Sequence, residues 1–175
     1  MRIIAGSCKG ARILAPKGAR TRPSSDRVRE AAFSLVGSLE GAMVLDLFAG
    51  SGAMGLEALS RGAARAVFVE SDREACRAIE RNLAKLDLRG AEIVCDDVLR
   101  FLAREHRRYD LVLVDPPYEM VESLRMKLAC DLPPVLAESG LLVFETAAKI
   151  EPQLPLRLRT ARRYGSARLT LFEHE

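Results

Sequence analysis

The stretch from Val44 to Gly55, Val-Leu-Asp-Leu-Phe-Ala-Gly-Ser-Gly-Ala-Met-Gly, constrains this chain more than any other. A short apolar run (Met43, Val44, Leu45, Leu47) reads as a buried strand interrupted by Asp46 and ending in a glycine loop. Ala53, Leu56 and Leu59 follow at helical spacing, with Gly62 placed to end the helix. The glycines therefore sit between a strand and a helix start, where free N–H groups and the helix dipole gather around a ligand. Gly50, Gly52 and Gly55 satisfy the G-x-G-x-x-G pattern, and Glu70 lies at the distance of a ribose-binding acid. By pattern alone that spells a nicotinamide dinucleotide site. Asp46 argues otherwise, because a carboxylate four residues before the first glycine repels a diphosphate. It suits a ligand with positive charge, such as the ammonium and sulfonium of S-adenosylmethionine. A glycine turn that only packs helix on strand is the bland alternative, and Glu70 weighs against it.

A chain of 175 residues, 49% hydrophobic, is long enough for one domain with a real core. No apolar run approaches a membrane span, and Met1-Arg2-Ile3-Ile4 lacks the apolar core of a signal peptide. Cys8, Cys76, Cys95 and Cys130 are scattered, which fits reduced thiols in a cytoplasmic protein and no metal site. The net charge of +3 is unevenly spread. Residues 1–29 carry eight basic side chains against Asp26 alone, and the remaining residues are net −4. A second cluster, Arg157, Arg159, Arg162, Arg163 and Arg168, contains no acid. A basic arm on an acidic body points to a polyanion, the plain alternative being a solvated arm.

Along the chain, residues 2–5 and 11–14 read as a small hairpin, followed by an irregular basic segment with Pro16, Gly18 and Pro23. Ser24 or Ser25 can cap the next helix, whose apolar face is Val28, Ala31, Ala32, Leu35, Val36 and Leu39. After the glycine loop, strands at 66–70, 91–95, 111–114 and 141–145 alternate with helices at 73–86, 98–104 and 121–129; 134–137 reads as partly helical. The fully apolar 111–114 run is expected at the sheet centre. Residues 157–163 and 167–172 make a closing hairpin. Together these give an α/β, doubly wound, mostly parallel sheet with an antiparallel edge hairpin.

Ligands of such sheets lie beyond the carboxyl ends of the strands. Those ends carry Asp46, Glu70, Asp97 and Asp115. Glu70 can accept two ribose hydroxyls, and Asp97, or alternatively Asp96, an adenine amino group. Asp97 could instead simply cap the following helix, whereas Asp72 is better placed than Glu70 to cap the helix at 73. The 111–114 strand ends in Asp115-Pro116-Pro117-Tyr118. Two prolines fix the chain and leave the Asp115 carboxylate and Pro116 carbonyl as acceptors for the two hydrogens of a planar amine. Tyr118 offers a face on which a base can stack. Catalysis would then rest on orientation and on support for charge developing at nitrogen.

At these residues the chain resembles the amino-group methyltransferases of the class I Rossmann-like fold, whose signature is Asp-Pro-Pro-Tyr. More closely it is similar to the bacterial 16S ribosomal RNA guanine-N2 methyltransferases of the RsmD type. The resemblance runs through Met1–Ile4 with Gly6, Arg22-Pro23-Ser24-Ser25-Asp26-Arg27-Val28-Arg29-Glu30, Phe48–Gly52, Gly55–Ala58, Asp115–Tyr118 and Tyr164-Gly165. Ser24-Ser25 stands where the family most often has Thr-Thr. The resemblance implies methyl transfer from S-adenosylmethionine to the 2-amino group of one guanine in 16S RNA, within an assembled or nearly assembled small subunit, by a monomer. It implies a cofactor site from Asp46, Phe48, Gly50, Gly52, Glu70, Ser71, Asp96, Asp97 and Asp115. The catalytic set is Asp115, Pro116, Pro117 and Tyr118. Substrate contacts are expected from Arg12, Lys17, Arg20, Arg22, Ser25, Arg29 and Tyr118. Residues 1–40 would be an RNA-facing extension and residues 41–175 the methyltransferase domain. A DNA adenine enzyme or one acting on another RNA would share the core. An oxidoreductase would have no use for Asp115-Pro-Pro-Tyr, and a non-catalytic RNA-binding module none for the strand-end acids.

Overall fold

The computed structural model describes residues 1–15 and 26–175. After the N-terminal segment come α1 (Asp26–Val36), β1 (Met43–Leu47), α2 (Ala53–Ser60), β2 (Arg65–Glu70), α3 (Arg73–Leu86), β3 (Ala91–Cys95) and α4 (Val98–Leu102). The chain continues through β4 (Tyr109–Val114), α5 (Val121–Asp131), β5 (Leu136–Ala147), β6 (Arg157–Tyr164) and β7 (Ala167–Glu173). The described strands form one sheet in the order β3-β2-β1-β4-β5-β7-β6. Pairing is parallel from β3 through β5, and β7 is antiparallel to both its neighbours. β4 is central, as a strand buried on both faces must be.

Period-two alternation divides the strand residues between two cores. Val44, Phe68, Leu111, Val143 and Leu169 face one side, where they meet α1, α2 and the N-terminal segment through Phe33, Leu56 and Ile3. Leu45, Val67, Val112, Phe144 and Phe172 face the other, packing with Phe101, Leu124 and Leu128 of α4 and α5. The N-terminal segment therefore shares a core with the sheet. No helix among the described residues is long and apolar enough to cross a membrane.

Three elements differ from expectation. The N-terminal hairpin shrinks to a single antiparallel bridge, Arg2 to Arg12. The reason is competition: the N–H groups of Ile4 and Ala5 donate to the Glu57 carboxylate at 2.8 and 3.0 Å. The short helix expected over 98–104 ends at Leu102. The partly helical stretch is a 3-10 turn at Pro133–Val135, and β5 already begins at Leu136, which pairs with Tyr109. The serines proposed to cap α1 lie outside the described residues.

Candidate active site

The order of β3, β2, β1 and β4 turns five acids scattered in sequence into a continuous rim. Across β3, β2, β1 and β4 the carboxyl ends carry Asp96 and Asp97, then Glu70, Asp46 and Asp115. β1 and β4 lead into opposite halves of the sheet, so Asp46 and Asp115 flank the point where a doubly wound fold opens its crevice.

Asp46 is only 3% exposed, and its Oδ2 accepts the Gly55 N–H at 2.8 Å. Burial, together with the neighbouring charges of Asp115 and Glu70 and against the Gly55 hydrogen bond, pushes its carboxyl up to about 8. Glu70 ties the loop to the rim: Oε2 accepts the Gly50 N–H at 2.8 Å and Oε1 accepts the Asp72 N–H at 2.9 Å. Oε1 also accepts from the Ser71 hydroxyl at 3.5 Å, and Oε2 keeps a further lone pair for a ligand hydroxyl. Ser71 is exposed beside it, and Asp72 caps α3 by accepting the Glu74 N–H at 2.8 Å.

The loop glycines divide their work. A side chain on Gly55 would run into the Phe68 ring, so this glycine serves close packing of α2 on β2. Gly50, by contrast, has positive φ and open space, with only the Phe48 carbonyl within 4 Å. Gly52 also has positive φ and lies against Ile79. Phe48 holds φ of 59°, a left-handed conformation rare without glycine and concentrated at functional sites.

Asp97 caps α4, its Oδ1 accepting the Arg100 N–H at 3.0 Å, so the capping alternative describes one of its oxygens. Asp96 accepts the Asp97 N–H at 2.8 Å and pairs with Arg104 at 2.5 Å and Arg100 at 3.2 Å, which lowers its carboxyl below the usual range. Asp97 is thus the less committed of the two. At the end of β4, Asp115 is half-buried and Pro116 buried. Pro117 is extended, and its carbonyl accepts the Met120 N–H at 2.9 Å, closing a 3-10 turn that begins at Tyr118, itself half-buried.

The substrate side requires one correction. Arg29 is 1% exposed and does not face solvent. Its guanidinium donates to the Arg2 carbonyl and to Asp26 Oδ1 at 3.2 Å, and Nε lies 3.6 Å from Glu57 Oε2. It joins α1 to α2 and is not available to phosphate. Arg12 is exposed; Lys17, Arg20, Arg22 and Ser25 lie outside the described residues.

Two buried polar residues were not singled out by sequence reasoning. Glu57, 0% exposed, accepts from the N-terminal segment and pairs with Arg61 at 2.8 Å as well as with Arg29. Asn82 brackets Leu14, accepting its N–H at 2.7 Å and donating to its carbonyl at 2.9 Å, and also donates to the Ser51 carbonyl at 3.2 Å. Asn82 so couples the N-terminal segment to the glycine loop.

The residues present fit a cationic, hydroxyl-bearing ligand. Asp46 and Glu70 have no ion-pair partner among the described residues; a cation would draw Asp46 into its ionised form, whereas a diphosphate would hold it protonated and still meet Glu70 and Asp115.

Comparison with known proteins gives the same direction. The family model described as conserved hypothetical protein 95 matches residues 1–173. Ribosomal RNA small subunit methyltransferase D of Escherichia coli K12 is 37% identical over 161 residues, 91% of this chain and 78% of that protein. YlbH of Bacillus subtilis, named as a candidate rRNA methyltransferase, is 36% identical over 156 residues, 86% of this chain and 85% of that protein. A solved Escherichia coli structure, named as a candidate methyltransferase, superposes with a TM-score of 0.85 at 33% identity, covering 100% of this chain and 99% of that one.

Proposed function

The chain belongs to the conserved hypothetical protein 95 family, and we propose that it is a ribosomal RNA methyltransferase. On this reading it moves a methyl group from S-adenosylmethionine to the exocyclic 2-amino group of one guanine in 16S RNA. The acceptor is presented by an assembled or nearly assembled small subunit, and the enzyme acts as a monomer. The observation that carries the reading is the acidic rim, which runs straight from the glycine loop to Asp115-Pro116-Pro117-Tyr118.

Along that rim Asp97, or Asp96, accepts from the adenine amino group and Glu70 from the ribose hydroxyls. Asp46 answers the positive charge, Gly50 leaves room for the ligand, and Phe48, Gly52 and Ser71 complete the wall. When bound, S-adenosylmethionine supplies an electrophilic methyl carbon and leaves as S-adenosylhomocysteine. The Asp115 carboxylate and Pro116 carbonyl each accept one N–H of the guanine amine, turning its lone pair toward the crevice. Pro117 fixes that geometry, and Tyr118 stacks on the base. As nitrogen gains the methyl it turns cationic, the adjacent Asp115 stabilises that charge, and one N–H proton leaves to solvent. A guanine must be unstacked to reach these groups.

The test is incubation of labelled S-adenosylmethionine with small-subunit particles lacking the modification, and with free 16S RNA, followed by mapping of the label. The expected product is one guanine carrying a 2-methylamino group, formed on particles. Label on adenine, or none on either acceptor, would overturn the proposal.

A further inference from the structure

The closing hairpin carries five arginines that the mechanism above does not use, and the structure sorts them by position. β6 is the outermost strand of the sheet. At its start, Arg157 and Arg159 both pair with Glu173. Arg168 on β7 is buried and pairs with Glu151 at 2.6 Å. Arg162 and Arg163 are exposed, and neither has an ion pair among the described residues. Lys149, likewise exposed and without an ion pair there, lies beside the same hairpin tip, where the Ala148 N–H donates to the Ser166 carbonyl at 2.8 Å. The uncompensated charge is therefore confined to one end of the hairpin.

That end is the reactive end of the sheet. Val114, the last residue of β4, pairs with Phe144 on β5. One residue further on, at the level of Asp115, the row continues from Glu145 to Leu169 to Arg162. Three strand spacings separate β4 from β6, so the Arg162 backbone stands about 14 Å from that of Asp115 along the row. A strand of RNA delivering a base to Asp115 passes over this edge within a few nucleotides.

The pairing also places the two arginines on opposite faces of the edge strand. Arg162 is opposite Leu169, on the face that packs with α1, and Arg163 is opposite Arg168 on the other. Like charges directly opposite each other weaken a sheet. Glu151 answers Arg168, but among the described residues no carboxylate pairs with Arg163, which leaves an anion-shaped demand at the tip.

We infer that Arg162 and Arg163, with Lys149 beside them, bind the phosphates of the RNA strand flanking the target base. The inference rests on the RNA methyltransferase reading and adds a second phosphate site, on the side of the crevice opposite β3. It differs from general attraction in being local: the tip arginines act, and those at the far end of the same strand do not.

The test compares two double variants with equal charge removed from β6, Arg162→Ala/Arg163→Ala and Arg157→Ala/Arg159→Ala. Binding to unmodified small-subunit particles is measured across a salt series, with methyl transfer and calorimetric cofactor affinity alongside. Losing two phosphate contacts lowers the log–log salt slope by about 1.4–1.8. That drop is expected for the tip variant only, with a raised KM for particles, kcat within about twofold of the parent, and unchanged cofactor affinity. Arg162→Lys/Arg163→Lys should restore most of the slope. Removing Arg163 takes away a like charge in the register position opposite Arg168, so the thermal midpoint should not fall. An unchanged slope in the tip variant, or equal drops in both double variants, overturns the inference while leaving the methyltransferase reading intact. A parent protein that neither binds nor methylates particles overturns both.

Discussion

At Asp46 the environment makes a measurable demand. Its folded carboxyl titrates near 8, far above its ordinary value of 3.8, because burial is reinforced by Asp115 and Glu70. The sign follows directly. Below the unfolded value both states hold the proton; between the two values only the folded state does, so this residue's contribution to stability falls as pH rises from about 4 to about 8. A bound cation favours the ionised form and expels the proton. Cofactor affinity should therefore rise with pH up to about 8 and then level off. Calorimetry in buffers of differing ionisation enthalpy should register up to about one proton released below that point. Asp46→Asn should weaken binding and flatten the profile; a steep profile surviving in that variant would assign the proton elsewhere. At Asp115 the expected loss is in turnover. Asp115→Ala should lower kcat by about two to three orders of magnitude, the scale for one positioned polar group, with cofactor affinity nearly intact. Methylation of particles at the parent rate by this variant would remove the motif from the mechanism.

At the scale of elements, the junction of α1, α2 and the N-terminal segment turns on one carboxylate. Glu57 holds the Ile4 and Ala5 N–H groups and faces both Arg29 and Arg61. Arg29 Nε and Nη1 have no hydrogen-bond partner among the described residues, so loss of the Glu57 charge would leave a buried guanidinium nearly unanswered. Breaking one side of a buried pair costs about 3–5 kcal/mol. Glu57→Gln should therefore lower the thermal midpoint sharply, whereas Asp26→Asn, at a half-exposed partner of the same arginine, should cost far less. Comparable losses in the two variants would shift the weight to Asp26. This junction was illegible in the sequence for a definite reason. Periodicity marks polar residues as outward-facing, and Glu57, Arg29 and Asn82 are buried only because distant segments satisfy them. The strand ends were legible because alternation fixes β4 and the glycine loop locally, and doubly wound topology then fixes which end of the sheet binds ligand. The N-terminal hairpin was overestimated from local pattern because, while Ile3 and Ile13 still donate across it, the Ile4 and Ala5 donors go to a side chain 53 and 52 residues away.

At the scale of the whole molecule, formal charge overstates what the N-terminal extension offers to RNA. Of the basic side chains in residues 1–29, Arg29, an expected substrate contact, is consumed inside, while Arg2, although exposed, leans on Asp26 at 3.6 Å. Lys9, Arg12 and Arg27 are exposed and have no ion pair among the described residues. Leu14, on the near side of Lys17 and Arg20, is held by Asn82, which also holds Ser51 of the glycine loop. An RNA contact made from this extension therefore follows in sequence on a segment anchored at the glycine loop. Replacing Lys17 and Arg20 with alanine should weaken particle binding most at low salt, reducing the salt slope by about 1.4–1.8. The acidic rim from Asp97 to Asp46 is untouched by these changes, so cofactor affinity should stay at the parent value. Arg22→Ala, at a further expected substrate contact, should weaken particle binding in the same way. The salt series and calorimetry decide together. A reduced slope with intact cofactor affinity assigns the extension to RNA; an unchanged slope makes it a solvated appendage and leaves recognition to the hairpin tip.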